Sequence, residues 1–464
     1  MKFGIKNLGP IKEADIELGD LTIICGKNNS GKTYLTYSIY SFLETLSSNI
    51  IFDIKRELVL ELISTGSCVI NFEDLWRAFP EKLNNILPAY SRCIPRFLAI
   101  QNKRETKEQI QFTISEYGGW KNYFYKVAFD NQDEPISLGK DIVIFSSKEK
   151  NSYEINCSLE SKTPNFPSED KLSNALVKKL SCYIMEKMLP FVFGLTGERS
   201  GIAIFGDFLN RIARERDVNE KYKETDNLSK NKINVEFEYS LPLRDEVNYL
   251  LNLKHFKRNS STLEGLKKIL DTFADIAGGE YSCDDHSTIQ FIDKNSKERY
   301  LITETSSSVK SLTELFFYIK HIASPGQILM IDEPELNLHP ENQRKIARLL
   351  AMLVNSGIRV FITTHSDYVV REFDFMTRLF DHKQLAQRLG YPEGQLLRSI
   401  SIRKYIVERA NKSTQYVLKK IAIDQESGIE NSSFDSSIEE MNHIQQAIQM
   451  GDILSDDDFT PVED

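Results

Sequence analysis

The segment Gly26–Thr33, "GKNNSGKT", constrains this chain more than any other eight residues. It satisfies the pattern G-x-x-x-x-G-K-[ST] and follows a short apolar run, "LTIIC". After it, Leu35, Ile39, Phe42, Leu43 and Leu46 recur at helical spacing. A strand feeding a helix through a glycine turn is the beginning of an α/β fold. Glycines let backbone N–H groups wrap phosphate oxygens, and the helix N-terminus adds partial positive charge. Gly26, Lys27, Asn28, Asn29, Ser30 and Gly31 are therefore expected to form a phosphate cradle. Lys32 is expected to reach the β and γ phosphates, and Thr33 to hold Mg²⁺ through its hydroxyl, so that ATP and Mg²⁺ are the implied cofactors. A chance match in a turn would lack the strand and helix on either side.

A second segment, "ILMIDEPELNLHP" from Ile328 to Pro340, is a hydrophobic strand that ends in two carboxylates. A strand buried on both faces tolerates acids only at its tip, which in an open parallel sheet is where ligands bind. Asp332 is placed for the Mg²⁺ shell and Glu333 to take a proton from the attacking water. Either acid alone would pass for a strand-to-loop exit; paired, and in a chain with a phosphate loop, they point to catalysis. In "VFITTHSDYVV" another buried strand ends at Thr364 and His365. A lone histidine is more often structural. At the tip of a parallel neighbour of the acidic strand, His365 would lie beside the γ-phosphate and hydrogen-bond it.

Between the strand-like "RYLIT" and a helix carrying Leu312, Leu315, Phe316 and Ile319 stands the run "TETSSSVKSL". Taken alone it is an N-cap, worth about 1 kcal/mol. Hydroxyls and free N–H groups at a helix start also make an anion site, and both roles can coexist.

The 464 residues exceed one ordinary core, which predicts a large domain with a second, inserted one. Residues 1–46 and 300–440 are read as the nucleotide-binding core, with strands alternating with helices and hence a mainly parallel sheet. Residues 47–299 are an inserted mixed region, part of it completing the same lobe. Within it "NYFYKVAF", "DIVIF" and "YEINC" favour strands, while 169–189 and 261–278 favour helices. The polar stretch 218–234 is expected to be a loop. Residues 441–464 form an acidic tail whose last ten positions, "SDDDFTPVED", hold five acids and no base.

Apolar residues are 41% of the chain, and no stretch approaches the roughly 20 uninterrupted apolar residues of a membrane span. No membrane partner is expected, and with no export signal at "MKFGIKNLGP" the expected location is the cytoplasm. Six scattered cysteines without a C-x-x-C pair argue against a disulfide framework or zinc site and read as reduced and mostly buried. The formal charge of −9 gives no global attraction to nucleic acid. The basic runs at 254–258 and at Arg211, Arg214 and Arg216 read as solvated helix faces.

The order of "IKNLGPI", "GKNNSGKT", the serine cluster, "DEPELNLHP" and "TTHS", with a weaker "GERSGI" at 197–202, resembles the ATP-binding-cassette ATPases of the SMC-like and overcoming-lysogenization-defect-like group. The resemblance covers residues 1–46 and 300–370 and implies an ABC-type ATPase head. Such a head has a mainly parallel core sheet, N-terminal antiparallel strands and a large mixed, largely helical insertion. In this group two subunits pair head to tail, and a signature segment of one closes on the γ-phosphate held by the other. By resemblance Ser306, Ser307 and Ser308 occupy that place, with Lys310 adding charge, although the glycines usual in the signature are absent. "LNLH", Leu336–His339, falls where the group has its subunit-contacting loop. The group's glutamine loop has only weak candidates in Gln101, Gln109 and Gln111.

The resemblance extends to the Septu-type ATPases of bacterial anti-phage defence and to their relatives in the PARIS system. It implies an ATP-hydrolysing subunit that assembles as a dimer or higher oligomer and regulates a separately encoded nuclease, HNH-type first and TOPRIM-type second. Nucleic acid would be engaged through that complex. Only about a hundred residues follow His365, with no constellation of strand-tip acids among them, so no nuclease is expected in this chain. An SMC-like repair ATPase that clamps DNA is the alternative, weakened by the lack of long heptad arms and by the net acidity; a transporter subunit fits less well.

Overall fold

A computed structural model describes residues 1–100, 109–126, 128, 136–138, 142–161, 169–205, 239–257, 259–284, 288–411, 413–426, 428–429 and 441–446. Arg211, Arg214, Arg216, Arg258, Gln101, the 218–234 loop and the last ten residues lie outside them.

The N-terminal strands β1 (Lys2–Leu8) and β2 (Ile11–Glu17) form an antiparallel hairpin, and β3 (Leu21–Gly26) leads into the phosphate loop. The inserted region contributes β4 (Ser67–Asn71), β5 (Gln111–Ser115), β6 (Ile136–Leu138), β7 (Ile142–Ser147), β8 (Glu154–Ser161), β9 (Val192–Leu195), β10 (Gly279–Cys283), β11 (Ile289–Asp293) and β12 (Arg299–Leu301). The C-terminal part adds β13 (Ile328–Asp332), β14 (Arg359–Thr364), β15 (Ile402–Arg409) and β16 (Tyr416–Ile421).

Nine of these strands make one sheet in the order β5-β1-β2-β16-β15-β3-β14-β13-β9. From β15 to β9 every pairing is parallel. The β5-β1-β2 end is antiparallel. The chain is thus α/β with a mainly parallel core sheet, N-terminal antiparallel strands and a large mixed insertion, as expected from the sequence. Strands β5 and β9, both from the insertion, complete the sheet at its two edges.

The parallel strands are apolar throughout because both faces are covered. Along β13, Ile328 and Met330 face one core and Leu329 and Ile331 the other. The first core holds the helices Lys32–Asn49, Phe72–Phe97 and Glu169–Met188; the second holds Thr313–His321, Pro340–Asn355 and Asp367–Arg378. All five apolar positions assigned to the helix face after Lys32 are buried.

The insertion also carries a four-stranded antiparallel sheet, β4-β8-β7-β6, and a three-stranded one, β10-β11-β12, which delivers the chain to the serine run. One local expectation fails. The sequence "NYFYKVAF" favours a strand, but Gly118–Lys126 is helical, with Trp120 and Phe124, one turn apart, buried on one face. Packing at i, i+4 overrides the β preference of Tyr and Phe. The cysteines divide evenly: Cys25, Cys68 and Cys157 are buried, and Cys93, Cys182 and Cys283 are not. No helix among the described residues is long and apolar enough to cross a membrane.

Candidate functional site

The parallel register brings three loop exits to one end of the sheet. Cys25 lies beside Thr364, and Thr363 beside Asp332. The phosphate loop, the acidic exit of β13 and the histidine exit of β14 are therefore neighbours, as expected at the carboxyl end of an open parallel sheet. Between them is a cavity of about 560 Å³ lined by Pro10, Asn28, Asn29, Ser30, Gly31, Lys32, Thr33, Tyr34, Glu333 and His365.

Gly31 caps the helix Lys32–Asn49 with φ 96°, and a Cβ there would meet Pro10 and Ile11 at 2.8 and 2.9 Å. Only glycine suits both conditions. The Lys32 ammonium donates to the carbonyls of Gly26 and Lys27 at 2.8 and 2.9 Å, closing the loop on itself. Burial pulls the Lys32 pKa down, opposed by Glu333 and Asp332. An incoming phosphate would supply the counter-charge that this desolvated ammonium lacks.

Asp332 is almost fully buried and accepts from the Thr33 hydroxyl at 2.9 Å on Oδ2 and from the Thr363 hydroxyl on Oδ1. Its pKa is raised by burial, with the two hydroxyl bonds pulling the other way. Glu333 behaves oppositely. Its carboxylate lies 3.3 Å from His365 Nδ1, and that contact holds its pKa below the ordinary value and raises that of His365. Two adjacent acids are thus set apart: one buried on hydroxyls, the other ionised and facing the cavity.

The Glu333 backbone has φ 54°, the left-handed region that costs a non-glycine residue about 1 kcal/mol or more. Its N–H donates to Thr363 O at 3.1 Å and to Thr363 Oγ1 at 3.2 Å. Glu335, which sequence reasoning left without a role, is buried behind His365. Its Oε1 accepts from Thr364 Oγ1 at 2.7 Å and from the His365 N–H at 2.9 Å, and lies 3.4 Å from Nδ1. The imidazole therefore stands between two carboxylates.

The serine cluster lies elsewhere. Ser306 caps the helix Ser307–Ser311 by accepting from the Val309 N–H at 3.4 Å, and its hydroxyl bonds that of Ser308 at 2.8 Å. Ser306, Ser307, Ser308 and Lys310 do not line the cavity around Lys32. Tyr281 of β10 donates to Val309 O at 2.6 Å, and Ser311 donates to Leu336 O at 3.2 Å, tying the serine helix to the loop after the acidic strand. In that loop Asn337 donates to Ser200 at 2.9 Å, and His339 caps the helix Pro340–Asn355.

Gln109 and Gln111 lie at or beside the edge strand β5 and do not line the cavity. Lys254 and His255 lie on a short helix, Leu253–Phe256, and are exposed. Arg199, in the "GERSGI" segment, carries a density of bonds that no sequence pattern signals, because its acceptors are main-chain carbonyls.

Residues 1–370 match the AAA ATPase domain family. Among solved structures the chain is similar to an SMC head bound to the C-winged helix domain of ScpA, with 13% identity over 91% of this chain and 97% of that one and a TM-score of 0.35. It is similar also to the SMC head domain from Thermotoga maritima, with 12% identity over 91% and 98% and a TM-score of 0.31. A third is the Smc head with an extended coiled coil bound to the C-terminal domain of ScpA, derived from Pyrococcus furiosus, with 13% identity over 96% and 98% and a TM-score of 0.33. None of the curated proteins matches the chain. A phosphate loop, an acidic strand tip and a histidine exit converge on one cavity, and a family match spans four-fifths of the sequence: this chain belongs to the AAA ATPase domain family.

Proposed function

We propose that this protein binds and hydrolyses Mg²⁺·ATP in composite sites at a head-to-tail dimer interface, as the ATPase subunit of an anti-phage defence complex that regulates a separate nuclease. The observation that carries the composite site is the division just described. Lys32, Thr33, Glu333 and His365 line one cavity with Asp332 beneath it, whereas the serine helix is anchored to the loop after the same acidic strand and Ser306, Ser307 and Ser308 do not line that cavity.

The Thr33 hydroxyl and the Asp332 carboxylate, already 2.9 Å apart, form a hard oxygen pair suited to Mg²⁺. A buried carboxylate with a raised pKa also favours a cation that holds it ionised. When bound, the ion neutralises charge on the β and γ phosphates. On ATP binding, Lys32 exchanges its bonds to Gly26 O and Lys27 O for phosphate oxygens. The attacking water gives a proton to the Glu333 carboxylate as its oxygen bonds to the γ-phosphorus and the bond to the β-phosphate oxygen breaks. ADP and phosphate are the products. His365, drawn toward its protonated form by Glu333, keeps that base oriented and presents a donor to the γ-phosphate.

The defence role and the nuclease partner rest on the resemblance of the motif set to the Septu-type and PARIS ATPases. In the decisive experiment, Glu333→Gln is mixed with ATP and sized by light scattering. Retained nucleotide binding, loss of about 10²- to 10⁴-fold in turnover, and a trapped dimer are expected. Turnover near wild type would remove Glu333 as the base. Co-expression with the product of the neighbouring open reading frame tests the partner. A stable complex with an HNH-type or TOPRIM-type nuclease supports the defence reading. Strong salt-dependent DNA binding by the chain alone supports the DNA-clamping one.

A further inference from the structure

Arg199 is 3% exposed, and its guanidinium spends four hydrogen bonds on backbone carbonyls. Nη1 donates to Thr196 O at 2.8 Å and Asp332 O at 2.7 Å, Nη2 to Glu333 O at 2.5 Å, and Nε to Ser311 O at 3.0 Å. Its own mounting is rigid. Thr196 is fully buried, and its N–H and hydroxyl both donate to Glu246 Oε2, at 3.0 and 2.6 Å. The adjoining Glu198 accepts from Tyr37 of the phosphate-loop helix at 3.3 Å.

A charge taken this far out of water is expensive unless its bonds are complete and well aimed. Packing alone would be served at lower cost by an apolar side chain. What these bonds accomplish is specific. Glu333 stands in the left-handed region, and a strained backbone persists only when its surroundings over-determine it. Thr363 holds the N–H side of this residue and Arg199 the C=O side. The remaining arm of the same fork reaches the last residue of the serine helix, beside the break at Leu312 that separates it from the helix Thr313–His321.

We infer that Arg199 is a positioning residue for ATP hydrolysis: its guanidinium clamps the backbone of the general base Glu333 and the serine helix into one body. Glu333 then cannot shift toward its own γ-phosphate without moving the helix that the same subunit offers to its partner. The second half of this statement rests on the composite-site reading; the first half does not.

Lysine is the informative replacement, since a point charge cannot span three chain segments. In full-length Arg199→Lys we expect kcat to fall about 100-fold, the cost of misplacing a catalytic group by about an ångström. The KM for ATP and the affinity for ADP should stay within about threefold. At protein concentrations high enough to keep both variants dimeric, adding Arg199→Lys to Glu333→Gln should lower residual turnover no further, because a residue acting through Glu333 has nothing left to act on. Turnover of Arg199→Lys near wild type overturns the inference. So does a loss of ADP binding in step with kcat, or a full second loss in the double variant. If the lysine variant does not fold, Arg199→Gln, which keeps a donor without the buried charge, is read by the same criteria.

The clamp on the serine helix is tested by ATP-dependent dimerisation of Glu333→Gln, which Arg199→Lys should weaken by at least about tenfold; unchanged dimerisation overturns that half. If Glu333→Gln alone forms no dimer with ATP, the composite-site reading fails with the helix clamp. The kcat and affinity measurements still decide the clamp on Glu333.

Discussion

The wall around Lys32 and the serine helix are built from similar groups, hydroxyls and N–H donors at helix starts, yet they are finished to different degrees. At Lys32 the donors and acceptors converge on one cavity, and two of them are engaged with neighbours that a phosphate or cation can replace: Lys32 with loop carbonyls, Thr33 with Asp332. At the serine helix the Ser306 and Ser308 hydroxyls bond each other and Ser306 caps its own helix. The first group lines one cavity within one chain. The second is firmly anchored from behind, through Ser311, Tyr281 and Arg199, while Ser306 and Ser307 are exposed among the described residues. Such anchoring suits a surface that acts on another molecule.

The largest effect should come from the cavity around Lys32. Lys32→Ala removes the ammonium and its charge-assisted bonds and is expected to weaken ATP binding by at least about 100-fold, measured by calorimetry on the isolated chain. Affinity near wild type would mean that Lys32 does not hold the phosphates. Ser307→Arg should act differently: turnover should fall about as far as in Glu333→Gln, while ATP affinity of the isolated chain stays unchanged. A parallel fall in affinity would mean that the serines serve their own chain's nucleotide.

Ser306→Ala is expected to cost about 1 kcal/mol of stability, read from denaturant midpoints, because the hydroxyl is an N-cap whatever else it does. The smallest effect concerns His365. Its raised pKa means that the contact with Glu333 is fully present below pH 6.5, the ordinary histidine value, and is lost as pH rises through the folded-state value. In Glu333→Gln that pKa should move back down, toward or below the ordinary value, as followed by NMR of histidine-labelled protein. An unmoved titration would assign the shift to Glu335 instead.

The phosphate loop, the two acids and the histidine exit were legible in the sequence because each is a local event, a buried strand ending in polar residues, repeated at three strands of one sheet. Parallel pairing of those strands followed from the alternation of strands and helices. Other parts were illegible for physical reasons. Strands β15 and β16 alternate only weakly in polarity, and β5 and β9 are short edge strands whose membership depends on pairing partners 100 or more residues away in sequence. The helix Phe72–Phe97 contains Pro80, Pro88 and Pro95, residues that read as breaks, yet Phe79, Leu83, Leu87 and Ile94 are buried along one face. Glu335 and Thr363 are ordinary residues in sequence; they become supports for His365 and Glu333 only when β13 and β14 lie side by side. Arg199 is the extreme case, a buried charge addressed to main-chain oxygens of three separate segments.

Action of the serines on the partner's nucleotide is tested by mixing Lys32→Ala protein with Ser307→Arg protein and measuring ATP hydrolysis. Each mixed dimer would hold one site with an intact phosphate loop facing intact serines, so a one-to-one mixture should recover about a quarter of wild-type turnover from two inactive parents. No recovery at any ratio would contradict action between subunits and return the serines to the role of a helix cap.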